Sequence, residues 1–268
     1  MTLDGSQKML HKYFRVKPQD TTEKKTLLDI GSGPGNITHN TLLPLFKGSI
    51  EKAIGIDISN EMVDYANANY GNSILSFEVL DIQHNIPGKY LNRFDYVFSF
   101  WTLQCIKDQR KLFTYIFEMM KLNGTMFVTY IAYTKLHNIY KRVWSSETYS
   151  PYITDTDEGQ SSFHNCENRK DQLKRILNEV GFHVEMCKIE NVSCAGGRNA
   201  MKRLVCCYYI ASKLMSFSDF LLAINPVYDR IPTELQENFL EDHLNEIDVS
   251  NGEYKINVEI FVVCATKN

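Results

Sequence analysis

Three acids and a run of glycines carry the first chemical signal in this chain. Asp29-Ile30-Gly31-Ser32-Gly33-Pro34-Gly35 follows the apolar run Thr26 to Ile30 and opens a helix-like segment. Glycines at such a junction let the backbone turn tightly and approach a ligand with no side chain in the way. Asp57 closes the next apolar run, 22 residues after Gly35. A carboxylate at that spacing can accept both hydroxyls of a ribose, as in dinucleotide-binding folds. Asp81 closes the third run, and a carboxylate there can accept from the exocyclic amine of an adenine. All three acids fall at carboxyl ends of strands, the edge at which open α/β sheets bind ligands. A glycine-rich turn that merely joined a strand to a helix would not need acids at the next two strand ends. The pattern predicts a nucleoside-bearing cofactor.

Positioning these residues takes an alternating fold. Thr26–Ile30, Ala53–Asp57, Leu75–Leu80, Phe94–Phe100 and Thr125–Ile131 are continuous apolar runs of strand length, as in a parallel sheet buried on both faces. Ser59 is expected to cap a helix over Asn60–Tyr70, and Asp108 one over Gln109–Lys121, whose Leu112, Phe113, Ile116, Phe117 and Met120 form one apolar stripe. A further helix over Asn168–Val180 stops at Gly181. This alternation predicts a doubly wound α/β sheet. His183–Glu190 and Val258–Ala265 read as two late strands that add an edge hairpin. Between them the chain predicts a helix over Ser218–Ile224, halted by Asn225-Pro226, and another starting at Pro232 with Leu235, Phe239, Leu240 and Leu244 on one face. Tyr133–Asn165 reads as irregular and rich in Tyr, Trp and Ser, and is assigned as a cap over the carboxyl edge.

Composition narrows the function classes. The chain has 268 residues and a net charge of −3, which suits one domain over 1–268 and gives no electrostatic reason for a nucleic-acid partner. Residues 1–20 lack the pattern of a signal or transit peptide, and no apolar run is long enough to span a membrane. The seven cysteines are scattered without a CxxC pair, so reduced thiols and a cytoplasmic location are expected. His and Cys do not cluster at ligand spacing, so no metal is expected. The chain is expected to be a monomer or homodimer.

Glycine spacing separates the cofactors. NAD-binding folds usually read GxGxxG, whereas this loop reads GxGxG after an acid. Asp-x-Gly-x-Gly-x-Gly resembles motif I of class I methyltransferases, which use S-adenosylmethionine. The similarity continues in Gly55-Ile56-Asp57-Ile58-Ser59, Leu80-Asp81-Ile82 and Phe94-Asp95-Tyr96-Val97-Phe98-Ser99. The resemblance implies a Rossmann-like α/β fold, a seven-stranded, mostly parallel sheet with helices on both faces and a helical cap. It implies S-adenosyl-L-methionine as donor and S-adenosyl-L-homocysteine as product. The cofactor core would span 21–131, with cap and insert segments over 132–167 and 191–250. The implied cofactor site comprises Asp29, Gly31, Ser32, Gly33, Gly35, Asp57, Ile58, Met62, Asp81, Ile82, Ser99 and Phe100.

Within that class the chain more closely resembles the insect juvenile hormone acid methyltransferases. The similarity is carried by the glycine loop with Thr38, by Ser99-Phe100-Trp101-Thr102-Leu103, by Ala223 to Pro232, by Phe239-Leu240-Glu241-Asp242 and by Val262 to Lys267. It implies methylation of the carboxylate of a hydrophobic isoprenoid acid, farnesoic acid or juvenile hormone acid. Such an acid is already ionised near neutral pH and needs no strong base, so alignment and removal of water would supply the catalysis. Gln7 matches a family glutamine near the acceptor, and Gln7 and Gln104 are the expected donors that orient the carboxylate. Trp101, Cys105, Trp144, Tyr149 and Tyr152 are the expected substrate-side residues. Three departures stand out. Gln104-Cys105 replaces the family His-Trp, removing an indole donor. The N-terminus is short, and Val192–Cys207 is an extra segment. They leave open two other readings, a binding paralogue with little or no turnover and a methyltransferase of another small carboxylic acid. Nucleic-acid N6-amino methyltransferases carry Asn/Asp-Pro-Pro-aromatic after the fourth strand. This chain has Ser99-Phe100-Trp101-Thr102 there, and Asn225-Pro226-Val227-Tyr228 is read as a helix stop. Arg230, beside Asp229 and just before a helix, is read as one half of a structural ion pair.

Overall fold

A computed structural model of the chain describes residues 3–16, 24–196, 227–247, 249–250 and 253–268. In chain order the elements are α1 (Leu3–Tyr13), β1 (Lys25–Ile30), α2 (Leu43–Leu45), β2 (Ile50–Asp57), α3 (Asn60–Tyr70), β3 (Leu75–Val79), β4 (Phe94–Phe100), α4 (Gln109–Met119), β5 (Met120–Thr134), α5 (Leu136–Trp144), α6 (Arg169–Val180), β6 (Phe182–Gly196), α7 (Thr233–Asn245), β7 (Val249–Ser250) and β8 (Glu253–Lys267). The strand order is β3-β2-β1-β4-β5-β8-β6, with the two-residue β7 paired to β8. The first five pair in parallel, and β8 runs antiparallel to both β5 and β6. Seven long strands with one reversed make the mostly parallel, Rossmann-like sheet implied above. The two late strands do pair antiparallel at that end of the sheet, with β8 against β5 and β6 outermost among the described residues.

Both faces of the sheet are covered, which is why its central strands read as largely apolar runs. On one face α1 and α5 pack against the strands through Leu10, Phe14, Phe98, Phe127, Tyr140 and Trp144. On the other, α4 and α6 bury Leu112, Phe113, Leu173 and Leu177 against Leu28, Val97 and Val128. Helix ends follow local chemistry. Ser59 Oγ accepts from Met62 N at 3.3 Å and Asp108 Oδ1 from Lys111 N at 2.9 Å. Gly181 ends α6 in the left-handed region at φ 116°. Helix α4 stops at Met119, two residues before the expected Lys121, because Met120 extends to pair with Phe94.

Two local differences from expectation bear on the site. The segment after the glycine loop is a π-turn over Thr38–Leu42 running into α2, with Pro44 near its start. It turns Thr38 and Thr41 inward, both buried. The stretch expected to be irregular contains α5, whose Leu136, Ile139, Tyr140, Val143 and Trp144 are buried on one face. Their spacing is that of an amphipathic helix, a pattern masked by the Tyr- and Ser-rich residues around it. The expected helix over Ser218–Ile224, and most of the extra segment Val192–Cys207, lie outside the described residues. No helix among the described residues is long and apolar enough to cross a membrane.

Candidate cofactor and acceptor site

The glycine loop is pinned to the second strand: Gly31 N and Ser32 N both donate to Ile56 O, at 2.8 and 3.0 Å. Gly31 and Gly33 lie in the left-handed region, at φ 70° and 52°. At Gly31 a Cβ would come within 2.0 Å of Thr102 Oγ1, whereas at Gly33 it would meet nothing within 4 Å. One glycine is required by the protein itself and the other borders open space. Beside them runs a narrow cleft lined by Asp29, Gly31, Ser32, Gly33, Ile37 and Phe100. Ser32 Oγ is buried there with no hydrogen-bond partner among the described residues.

Asp29 lies next to the end of β1, Asp57 ends β2, and Asp81 follows β3 by two residues. Asp57 Oδ2 accepts from Gly33 N at 2.9 Å and Oδ1 from Ser59 N at 3.0 Å. Each oxygen keeps a second lone pair for a ligand hydroxyl. Asp81, just past β3, accepts from Gln83 N at 2.9 Å and faces His84 Nδ1 at 2.9 Å. Asp29 is buried and accepts from the Thr38 hydroxyl at 2.6 Å. Burial pushes its carboxyl up to about 7; the Thr38 hydrogen bond opposes that rise, and the negative charge of Asp57 adds to it. A cation placed nearby would restore the ionised form. Ile58, next to Asp57, is 60% exposed and offers an apolar surface to a flat base. Met62 and Ile82 are buried. The orphaned Ser32 hydroxyl, the open space at Gly33 and the spare lone pairs of Asp57 fit an S-adenosylmethionine-type ligand.

The acceptor side is built at the end of β4. Ser99 Oγ donates to Ile30 O at 2.8 Å and is buried, so its hydroxyl ties β4 to β1. Phe100 lines the cleft. Trp101 then takes φ 60°, a conformation that costs a bulky residue on the order of 1–3 kcal/mol. Two contacts hold it there. Its backbone N donates to Thr129 O at 2.8 Å, and its indole Nε1 donates to Ser6 Oγ at 2.9 Å. Ser6 and Leu10 share one face of α1, and Phe14, whose N donates to Leu10 O just past its end, lies edge-on to Tyr96 and Phe98. Helix α1 therefore runs antiparallel to β4 and brings its first turn to the carboxyl edge.

The expected substrate-side residues fall into two groups. Gln7, Trp101, Gln104 and Cys105 gather at this edge. Gln7 Nε2 donates to Thr41 Oγ1 at 2.8 Å. The Gln104 amide donates to Trp101 O and accepts from Ile131 N at 3.3 Å. Cys105 is exposed. Trp144, Tyr149 and Tyr152 belong to the apolar cluster between α5 and α7: Tyr149 donates to Asp242 at 2.7 Å and packs edge-on to Phe239, and Tyr152 is half-buried. Arg230 does form an ion pair, with Glu158 at 2.7 Å. Sequence reasoning passed over Ser6, Thr41, Thr102 and Tyr140. The spacing of Ser6, Leu10 and Phe14 at i, i+4 and i+8 was the available signal for Ser6.

Residues 21–181 match the family model described as a methyltransferase domain. The chain is 31% identical over 221 residues to the juvenile hormone acid O-methyltransferase of Bombyx mori, covering 82% of this chain and 73% of that one. It is 27% identical over 224 residues to the corresponding Drosophila melanogaster protein, covering 82% and 69%. Among solved structures, phosphoethanolamine N-methyltransferase 2 of Haemonchus contortus in complex with S-adenosyl-L-methionine superposes with a TM-score of 0.52 at 19% identity, covering 98% of this chain and 52% of that one.

Proposed function

Because the chain belongs to the juvenile hormone acid methyltransferase family, within the S-adenosylmethionine-dependent methyltransferases, we propose that it converts the carboxylate of a hydrophobic isoprenoid acid, farnesoic acid or juvenile hormone acid, to its methyl ester in the cytosol. The observation that carries this reading is the similarity to two juvenile hormone acid O-methyltransferases over 82% of the chain.

Bound S-adenosylmethionine supplies an electrophilic methyl group. In this reading Asp57 takes the ribose hydroxyls, Asp81 the adenine amine and Ile58 the adenine face. The loop Gly31–Gly35 with Ser32 and Asp29 takes the methionine end. On the acceptor side, Phe100, Trp101 and Leu103 form an apolar wall that excludes water from the reacting carboxylate. Phe100, Trp101 and Leu103 carry no titratable group, which suits an acceptor that arrives already ionised. Gln7 and Gln104 are the proposed orienting donors. Each amide nitrogen carries two protons, and the contacts to Thr41 and to Trp101 O engage one on each, which fixes the side chain and leaves the other proton for the carboxylate.

The test has two stages: calorimetric titration with S-adenosylmethionine, then a methyl-ester product assay with labelled donor and farnesoic or juvenile hormone acid. Binding followed by ester formation is expected. A flat assay with intact binding would defeat the carboxyl-methylation reading and favour a non-catalytic protein that binds the cofactor and a hydrophobic ligand. Cys105, exposed where the family keeps an indole donor, is the observation behind that second reading. Activity gained by Cys105→Trp would show that this donor alone was missing. A panel of carboxylic acids of graded chain length separates isoprenoid acids from another small acid.

A further inference from the structure

The amino edge of the sheet, opposite the cofactor cleft, displays two leucines. Leu122 is 67% exposed and Leu91 43%. A single exposed leucine is ordinary, but these two are built into adjoining turns. Between the pairs Phe94–Met120 and Tyr96–Thr125, β4 spends only Asp95 where β5 inserts residues 121–124. The insertion bulges outward with Leu122 on it, and Asn123 takes φ 64°. Leu91 stands at a second tight turn, where Asn92 takes φ 49°. Asn92 N donates to Glu118 O and Arg93 N to Met119 O, at 2.8 and 2.9 Å, which fastens this turn to the end of α4, directly before the bulge. Lys267 Nζ locks the two turns together. It donates to Asn92 Oδ1 at 3.0 Å, Phe117 O at 2.8 Å and Met120 O at 2.9 Å. An ammonium has three protons, and all three are spent on holding this edge in shape.

The charge of the same edge is lopsided. The chain as a whole has a net charge of −3, yet here Lys24, Lys25, Lys47, Arg93, Lys121 and Lys267 stand against Glu51, Asp95 and Glu118. Asp95 is engaged by Lys25 at 3.6 Å and by Lys121 at 2.7 Å. Lys24, Lys47 and Arg93 form no ion pair among the described residues. Lys24 and Arg93 donate to backbone carbonyls, Gly48 O and Lys89 O, each at 3.0 Å. Lys47 is exposed on a turn of its own, at φ 47°.

One kind of partner uses both features. A nucleic acid would take the cations and leave the leucines in water. A protein partner needs about 800 Å² of matching surface on each side, more than two side chains at turn tips supply. An anionic bilayer accepts apolar tips at the boundary of headgroups and acyl chains, while Lys and Arg meet the lipid phosphates. The seven residues of β4, roughly 23 Å of strand, separate this edge from the cleft, so a docked molecule keeps its cofactor site open to solvent.

We propose that the amino edge of the sheet is a peripheral membrane-docking surface, in which Leu91 and Leu122 enter the headgroup layer of an anionic bilayer and Lys24, Lys47 and Arg93 bind its phosphates. The inference goes beyond the methyltransferase reading and does not depend on the acceptor.

The experiment is flotation of the full chain with vesicles of phosphatidylcholine and phosphatidylserine, and with vesicles of phosphatidylcholine alone. Binding to the anionic vesicles is expected, weakening as salt rises, with little binding to the neutral ones. Lys24→Gln combined with Lys47→Asn should weaken it about twentyfold, near fivefold for each charge; asparagine suits the left-handed backbone at 47. Leu91→Ser combined with Leu122→Ser should weaken it about tenfold. All four residues are exposed, so denaturation midpoints should match the wild type and separate lost docking from lost folding. No binding to either vesicle, equal binding to both, or leucine variants that bind as tightly as the wild type would overturn the proposal. The last result would assign the edge to a polyanion such as nucleic acid.

Discussion

Asp29→Asn separates what the fold requires from what the cofactor requires. Burial raises the Asp29 carboxyl from an ordinary value of 3.8 to about 7. The folded chain therefore holds this proton more tightly than the unfolded chain. Its stabilising contribution is complete below pH 3.8 and is lost as pH rises through about 7. Three pH units at 1.36 kcal/mol each amount to a loss on the order of 4 kcal/mol across that window. Asparagine has nearly the same shape, cannot ionise, and still offers the Thr38 hydroxyl an oxygen at a site where the carboxylate accepts at 2.6 Å. Urea denaturation without cofactor, from pH 4.5 to 8, should show wild-type stability falling with pH and a flatter curve for Asp29→Asn, the two diverging upward in pH. Cofactor affinity should move the other way, since the variant removes the negative charge facing a cationic ligand. Parallel stability curves would refute the reasoning, because they would mean that Asp29 does not titrate in this range.

The remaining predictions concern the same edge. Gly31→Ala forces a Cβ to within 2.0 Å of Thr102 Oγ1 at φ 70° and should cost about 2–3 kcal/mol, measured by denaturation, with partial rescue by Thr102→Gly. Ser6→Ala strands the buried Trp101 indole and should cost about 1–3 kcal/mol. A double-mutant cycle with Trp101→Phe should show that the two changes are not additive. Asp57→Asn leaves one oxygen to serve both Gly33 N and Ser59 N as well as the ribose. S-adenosylmethionine affinity should fall about tenfold or more by calorimetry, the equivalent of one charge-assisted hydrogen bond.

The cofactor half was legible because its information is local. Asp29, Asp57 and Asp81 each lie at or within two residues of a strand end, and a strand end is visible in a run of apolar residues followed by an acid or glycine. The central strands could be read for the same reason: with both faces buried, β1 and β4 place apolar residues at adjacent positions, Leu27 with Leu28 and Val97 with Phe98. The acceptor half was harder because its contacts join distant segments. No spacing rule predicts that Ser6 meets Trp101 across 95 positions, or that Gln7 meets Thr41. Thr41 is turned inward by a π-turn, and the sequence around it reads as an ordinary helix. Helix α5 was missed for a different reason. Its stripe includes Tyr140 and Trp144, and aromatic residues among serines and tyrosines read as loop unless their i, i+4 spacing is weighed.

The placement of β8 has a consequence for how the molecule assembles. Residues 253–267 lie between β5, at 120–134, and β6, at 182–196. Among the described residues β6 has one neighbour in the sheet, β8, so it cannot join until the latest of the long strands is in place. Contacts spanning such sequence separations form slowly, and the sheet should be completed from its centre outward in a final, late step. Amide protons of β6 and β8 should then lose exchange protection together, as one cooperative unit, while β1, β2 and β4 stay closed.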